Sequence, residues 1–248
     1  MRINNHIKST GLRSALLLAC SLTVACATNT PIAGKPIPER GDRSSANQLA
    51  KNDFDRMADV ELAENTQSLK NLMLKLYKRN PNQLAKSTTD NAEKMVDWVF
   101  EGELQHQWRF KEIDNKQDTE AIFLAFDAAY QGDRVLPFIV GIHTMLVKAH
   151  GNKKEFYLTD NIEPQRIYNV ARNIEIAAWK LATARDATGN LYLISNELND
   201  KERNLSFERE FGKMIGRTDL YAIALAEKSQ RFISRVVQSI ATAVFLPF

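Results

Sequence analysis

The sequence predicts a mainly α protein: an irregular multi-helix domain, roughly six to eight helices with at most minor β structure, carried on a flexible N-terminal tether. Three observations predict it. Glycine is scarce, 10 in 248 residues, while Ala, Leu, Lys and Glu are abundant, a composition that favours helix. From about residue 52 onward, apolar residues recur at three- and four-residue spacing. Before that point, residues 27–50 carry Pro31, Pro36, Pro38, Gly34 and Gly41 and almost no large apolar side chains, so that stretch has nothing with which to build a core.

The first expected helix opens near Asn52, with Leu69, Leu72, Met73, Leu76 and Tyr77 on one stripe and Lys70, Asn71, Lys75 and Lys78 opposite. Asn80-Pro81 stops it, because a residue before proline is pushed out of the helical region. Asp90-x-x-Glu93 has the spacing of a capping box and feeds Ala92, Met95, Val96, Val99 and Phe100, with Gly102 as the stop. Leu104, His106, Trp108 and Phe110 then alternate with polar residues as in a strand, while Glu103 and His106 also suit one face of a helix; the residues leave both open.

Two apolar segments, 119–130 and 134–150, are joined by Gln131-Gly132-Asp133, which predicts a helical hairpin. Residues 135–147 are apolar on every face but fall short of the roughly 20 that span a bilayer, and Pro137 and Gly141 interrupt them. A central core helix follows. Gly151 opens a loop, and Phe156-Tyr157-Leu158 reads as a short extended piece. Thr159 or Asp160 is placed to cap the next helix, Pro164 suits its first turn, and Ile167, Val170, Ala171, Ile174, Ala177, Ala178 and Leu181 form its stripe. Ser206 is expected to open a brief helix closed by Gly216, and Thr218 or Asp219 a final helix reaching Leu246, with Ile233, Val236, Val237, Ile240 and Val244 in the core. Phe245, Leu246 and Phe248 lie beyond that stripe, left for a partner. Trp98, Trp108 and Trp179 are expected in the core.

The first residues decide where the rest must live. Arg2, Lys8 and Arg13 precede an apolar run from Ala15 to Ala25 with no acidic residue, which reads as an export signal. The run ends Thr23-Val24-Ala25-Cys26, which resembles the lipobox of bacterial lipoproteins, although Thr23 departs from the Leu preferred there. Leu17-Leu18-Ala19-Cys20 is spelled closer to that pattern but leaves too short an apolar core. The resemblance covers about the first 27 residues, and it implies residues 1–25 as a cleaved signal, acylation (palmitate) on Cys26, residues 26–50 as tether and residues 51–248 as one domain. Ala27 in place of Asp implies the outer membrane, on its periplasmic face. Two or more acyl chains anchor stably, whereas one is marginal.

Removing residues 1–25 takes away three of the 33 basic side chains and none of the 30 acidic ones, so the net +3 leaves with the signal. A near-neutral domain excludes an electrostatic nucleic-acid binder. Both cysteines, Cys20 and Cys26, fall in the export segment, which removes disulfides, thiolate metal sites and cysteine nucleophiles from the folded part. Phosphate-loop, dinucleotide, nucleophile-elbow and zincin spacings are missing. The metal candidates are Glu103-x-x-His106, a spacing used by di-iron bundles, and His143; neither His143 nor His150 has a Glu three positions before it to complete such a site. The plainer reading is a solvated Glu103 and core histidines. No cofactor or catalytic set is assigned. The sequence reading is therefore a lipid-anchored periplasmic protein that docks on, assembles or regulates another envelope protein. An envelope enzyme with scattered residues and a carrier of a hydrophobic ligand are the alternatives.

Overall fold

The computed structural model describes residues 53–153, 155–156, 162–198, 203–233 and 244–248. Cys26, the signal and tether segments, Tyr157 to Asp160, and Val236, Val237 and Ile240 of the expected final helix lie outside them. Eight helices carry the described part: α1 (Asp53–Arg79), α2 (Pro81–Ser87), α3 (Ala92–Glu101), α4 (Glu103–His106), α5 (Asp118–Ala125), α6 (Val135–Ala149), α7 (Pro164–Thr183) and α8 (Ser206–Ser229). The only strands among the described residues are Glu197–Leu198 and Arg203–Asn204, an antiparallel pair with Glu197 opposite Asn204. The fold is mainly α, and no described helix is long and apolar enough to cross a membrane.

Helix α6 is the centre. Val135, Leu136, Phe138, Ile139, Val140, Ile142, Met145 and Leu146 are all buried, which is why its sequence shows no polar face. Pro137 is its third residue, in the first turn, where a missing N–H breaks no helical bond. Gly141 sits where α5 crosses: a Cβ there would lie 2.6 Å from Asp118 O and 2.8 Å from Ile122 N. Only hydrogen fits. Asp133 Oδ1 accepts from Val135 N at 2.8 Å and so caps α6, while its Oδ2 accepts from Tyr77 Oη at 2.6 Å and Ser87 Oγ at 2.8 Å. Burial raises the Asp133 pKa despite those bonds, and burial beside Asp133 pushes the Tyr77 phenol well up. Arg134 then closes α5, donating to Ala125 O at 2.8 Å and Asp127 O at 2.9 Å, and lies 4.3 Å from the Tyr192 ring centre.

Three expectations change, and one left open is decided. Asn91, not Asp90, caps α3, its Oδ1 accepting from Lys94 N at 2.9 Å, and Asp90 pairs instead with Lys94 Nζ. For residues 103–110, where strand and helix were both open, the structure has one helical turn that ends in left-handed Gln107 and Trp108, which leaves Leu104 90% exposed while Trp108 and Phe110 turn inward. Helix α8 is continuous from Ser206 through Gly212 and Gly216, and Gln230 in the left-handed region ends it. A helical glycine costs about 1 kcal/mol against alanine, and burial of Phe207, Phe211, Met214, Tyr221 and Ala222 outweighs it. Trp108 is core, but Trp98 and Trp179 are partly exposed.

Candidate functional site

A cleft of about 520 Å³ opens between the turn after α4, the start of α5 and the second half of α6. Glu103, Gln107, Arg109, Asp118, His143 and Lys148 are among its lining residues. Its wall is aromatic. The His143 ring stacks on Trp108 with centroids 3.6 Å apart and planes at 16°, and Phe100 meets Trp108 edge-on at 5.2 Å. Trp108 has φ 57, a left-handed conformation uncommon for a bulky residue, which costs on the order of 1–3 kcal/mol and persists only where neighbours enforce it. The neighbours are visible: Trp108 N donates to His106 Nδ1 at 2.9 Å, and Gln117 Nε2 donates to Trp108 O at 3.1 Å.

Because His106 Nδ1 accepts, its proton sits on Nε2, which donates to Val99 O at 3.0 Å. Both ring nitrogens of His106 therefore buckle the turn to α3. Of the three residues proposed for a metal, Glu103 and His143 reach the cleft and His106 stands behind it. Among the described residues no three His, Cys, Asp or Glu side chains are grouped so as to hold a metal ion. Within the cleft Lys148 pairs with Asp118 at 2.7 Å, and Asp118 N donates to Thr144 Oγ1 at 2.7 Å. Both signs of charge and a largely covered imidazole suit binding of a small amphiphilic group better than proton transfer, which needs a base within reach of substrate.

A second polar centre escapes the sequence. His150, read from the sequence as a core histidine, is buried against Glu61 of α1, with Nε2 3.0 Å from Glu61 Oε2. Its Nδ1 lies 2.8 Å from Leu146 O, and its ring is parallel to Tyr221 of α8 at 5.6 Å. Two acceptors facing two ring nitrogens favour the doubly protonated ring. Burial opposes that charge, but the Glu61 carboxylate and the Leu146 carbonyl outweigh burial and raise the ring's pKa above its ordinary 6.5. Glu61 Oε1 also accepts from Asn65 Nδ2 and Thr218 Oγ1, and Arg217 reaches Asn65 Oδ1 at 3.0 Å and Ser68 Oγ at 2.7 Å. This seam ties α1, α6 and α8 together. Its signal was the polar series Glu61, Asn65 and Ser68 beside Leu62, Leu69 and Leu72.

The outer side of α8 is apolar where it meets solvent. Leu220 is 62% and Ile223 47% exposed, and beyond the helix Phe232 is 99% exposed. Ile223 and Phe232 border a groove of about 490 Å³ between α7 and α8, together with Tyr168, Arg172, Asp219 and Arg231. Ion pairs rim it: Arg172 with Asp219 and Arg231 with Glu163, each at 2.5 Å. Phe245, Leu246 and Phe248 are not left free as expected: all three are half-buried, and Phe245 and Phe248 pack against the core. Comparison with protein families, with curated proteins and with solved structures finds no match for this chain.

Proposed function

We propose that the chain is a tethered docking protein of the cell envelope, anchored by lipid on Cys26 in the outer membrane, with its helical domain on the periplasmic side to bind another envelope protein. The carrying observation is the exposed Leu220, Ile223 and Phe232 beside a groove rimmed by ion pairs. An apolar centre with a charged rim is the anatomy of a protein interface, whereas singly scattered apolar residues are ordinary surface. Thr23-Val24-Ala25-Cys26 supports the anchor.

The test is a photo-crosslinker at Leu220 in intact cells, with labelled fatty acid to follow Cys26. The reading expects one dominant protein adduct, lost with Ile223→Asp, and label lost with Cys26→Ala. Label absent from the wild type removes the anchor, and an adduct pattern indifferent to Ile223→Asp removes the docking face. One observation favours a second reading, an envelope enzyme: Glu103 and His143, forty positions apart, line the same cleft. Stoichiometric metal in protein purified without added metal, lost with Glu103→Gln, would favour it.

A further inference from the structure

Residues 244–248 lie as non-helical chain along α7. Asn173, fully buried, devotes its whole amide to the main chain of one residue: Leu246 N donates to Oδ1 at 2.7 Å, and Nδ2 donates to Leu246 O at 2.8 Å. One turn earlier Asn169 Nδ2 donates to Pro247 O at 2.7 Å, and Gln165 Nε2 steadies Asn169 by donating to its Oδ1 at 2.8 Å. Phe245 stands edge-on to Phe123 of α5 at 5.0 Å, and Phe248 lies with its ring centre 5.1 Å from Lys148 Nζ of α6. The segment thus occupies a groove between α7 and the α5–α6 pair.

The chemistry of that groove is specific in kind. It reads main chain at its centre, which any peptide supplies, and side chains only at two ring seats three residues apart. It asks no N–H of position 247, where proline has none. Asn is a weak helix former, and a buried amide without partners costs about 1–3 kcal/mol, so Asn169 and Asn173 suit α7 only while peptide main chain fills the groove. The present occupant is only partly covered: Phe245, Leu246 and Phe248 are half-buried, and Val244 and Pro247 are exposed.

We propose that this groove is a peptide-binding site closed by the chain's own residues 244–248, and that in trans it takes a non-helical peptide of a partner protein bearing two aromatic side chains three residues apart. It deepens the docking reading by giving the partner's chemistry, and rests on that reading only for the partner being a protein. Ten positions of sequence join Ile233 to Val244, so the chain's own segment competes intramolecularly with any free peptide. A free peptide gains full access only when the segment is released.

The test uses the full chain and a fluorescein-labelled Val-Phe-Leu-Pro-Phe peptide followed by anisotropy. A Phe245→Ala/Phe248→Ala chain should bind it about tenfold or more tighter than wild type, and adding Asn173→Ala should return binding to the wild-type level or below. In the wild-type chain, excess peptide should speed hydrogen exchange at the Leu246 amide. That second measurement decides alone if the double variant does not fold. No binding by a folded double variant, binding indifferent to Asn173→Ala, or an unmoved Leu246 amide overturns the proposal. So does a wild-type dimer that the peptide dissociates, which would make a second copy the occupant. Peptide binding that survives while the Leu220 adduct is missing would sink the α8 docking face and leave the groove standing.

Discussion

The α5–α6 crossing and the α1–α8 crossing join helices in opposite ways. In the first, Gly141 lets backbones touch and Ala121, Ile122, Phe138 and Ile142 are buried, with its polar contacts, Asp118 to Thr144 and Lys148, at the start of α5. In the second, Glu61, Asn65, Ser68, Arg217 and Thr218 thread a hydrogen-bonded seam through buried surface and reach His150 on α6. A mostly apolar crossing fixes distance, since apolar contact is non-directional and tolerates sliding until backbones collide. A polar seam fixes register, because each bond has one geometry and a slip leaves buried groups unpaired.

The sharpest way to break the contrast is Glu61→Ala. It strands a buried His150 and removes the acceptor of Asn65 and Thr218, so a loss of about 3–5 kcal/mol in urea unfolding is expected. Glu61→Leu with His150→Leu should be milder, because apolar replacement removes both charges at once; if the pair proves as damaging as the single change, the seam supplies stability rather than register. Next comes Gly141→Ala, whose methyl meets backbone on both sides, with an expected loss of about 1–3 kcal/mol. A neutral result would mean that the crossing can widen.

The two crossings should also part company with pH. His150 has a folded pKa raised above 6.5, so its contribution is fully present below about pH 6.5 and is lost as pH rises through the raised value. Glu61 from α1 and Tyr221 from α8 are the titratable groups that face the ring, and burial pushes the Tyr221 phenol up. Wild-type urea midpoints should therefore fall as pH rises above about 6.5, and Glu61→Gln should flatten the slope. An unchanged slope assigns it elsewhere. The smallest effect belongs to Gly212→Ala and Gly216→Ala, where a Cβ meets nothing within 4 Å. Each should stabilise α8 by about 0.5–1 kcal/mol, and a loss would show that the helix must bend there.

The stripes Leu69 to Tyr77 and Ile167 to Leu181 were legible because burial on one helical face leaves a periodic trace, and Asn80-Pro81 because its restriction is local. What was not legible depends on partners distant in sequence. Gly216 looked like a stop because glycine's cost is local and the burial offsetting it is not. The residues from Glu103 to Phe110 left strand and helix both open, because left-handed Gln107 and Trp108 depend on His106, Gln117 and His143. Glu103 and His143 could be named as chemically able, yet their meeting in one cleft needed the α4 turn and α6 together. Asn169 and Asn173 carried no visible meaning until residues 244–248 supplied a main chain.

The seam between α1 and α8 also sets an order in time. Glu61 and Thr218 stand 157 positions apart, whereas Asp118 meets Thr144 across 26. Closing a loop of 157 positions is slower than closing one of 26, so α1 waits for the helix that satisfies its Glu61 and Asn65. Short-range α5–α6 contacts can form during that interval, since loop closure favours local pairs. Chains arrested before Ser206 should consequently lose α1 first to limited proteolysis, and the final steps of folding amount to α8 closing over a first helix that has waited for it.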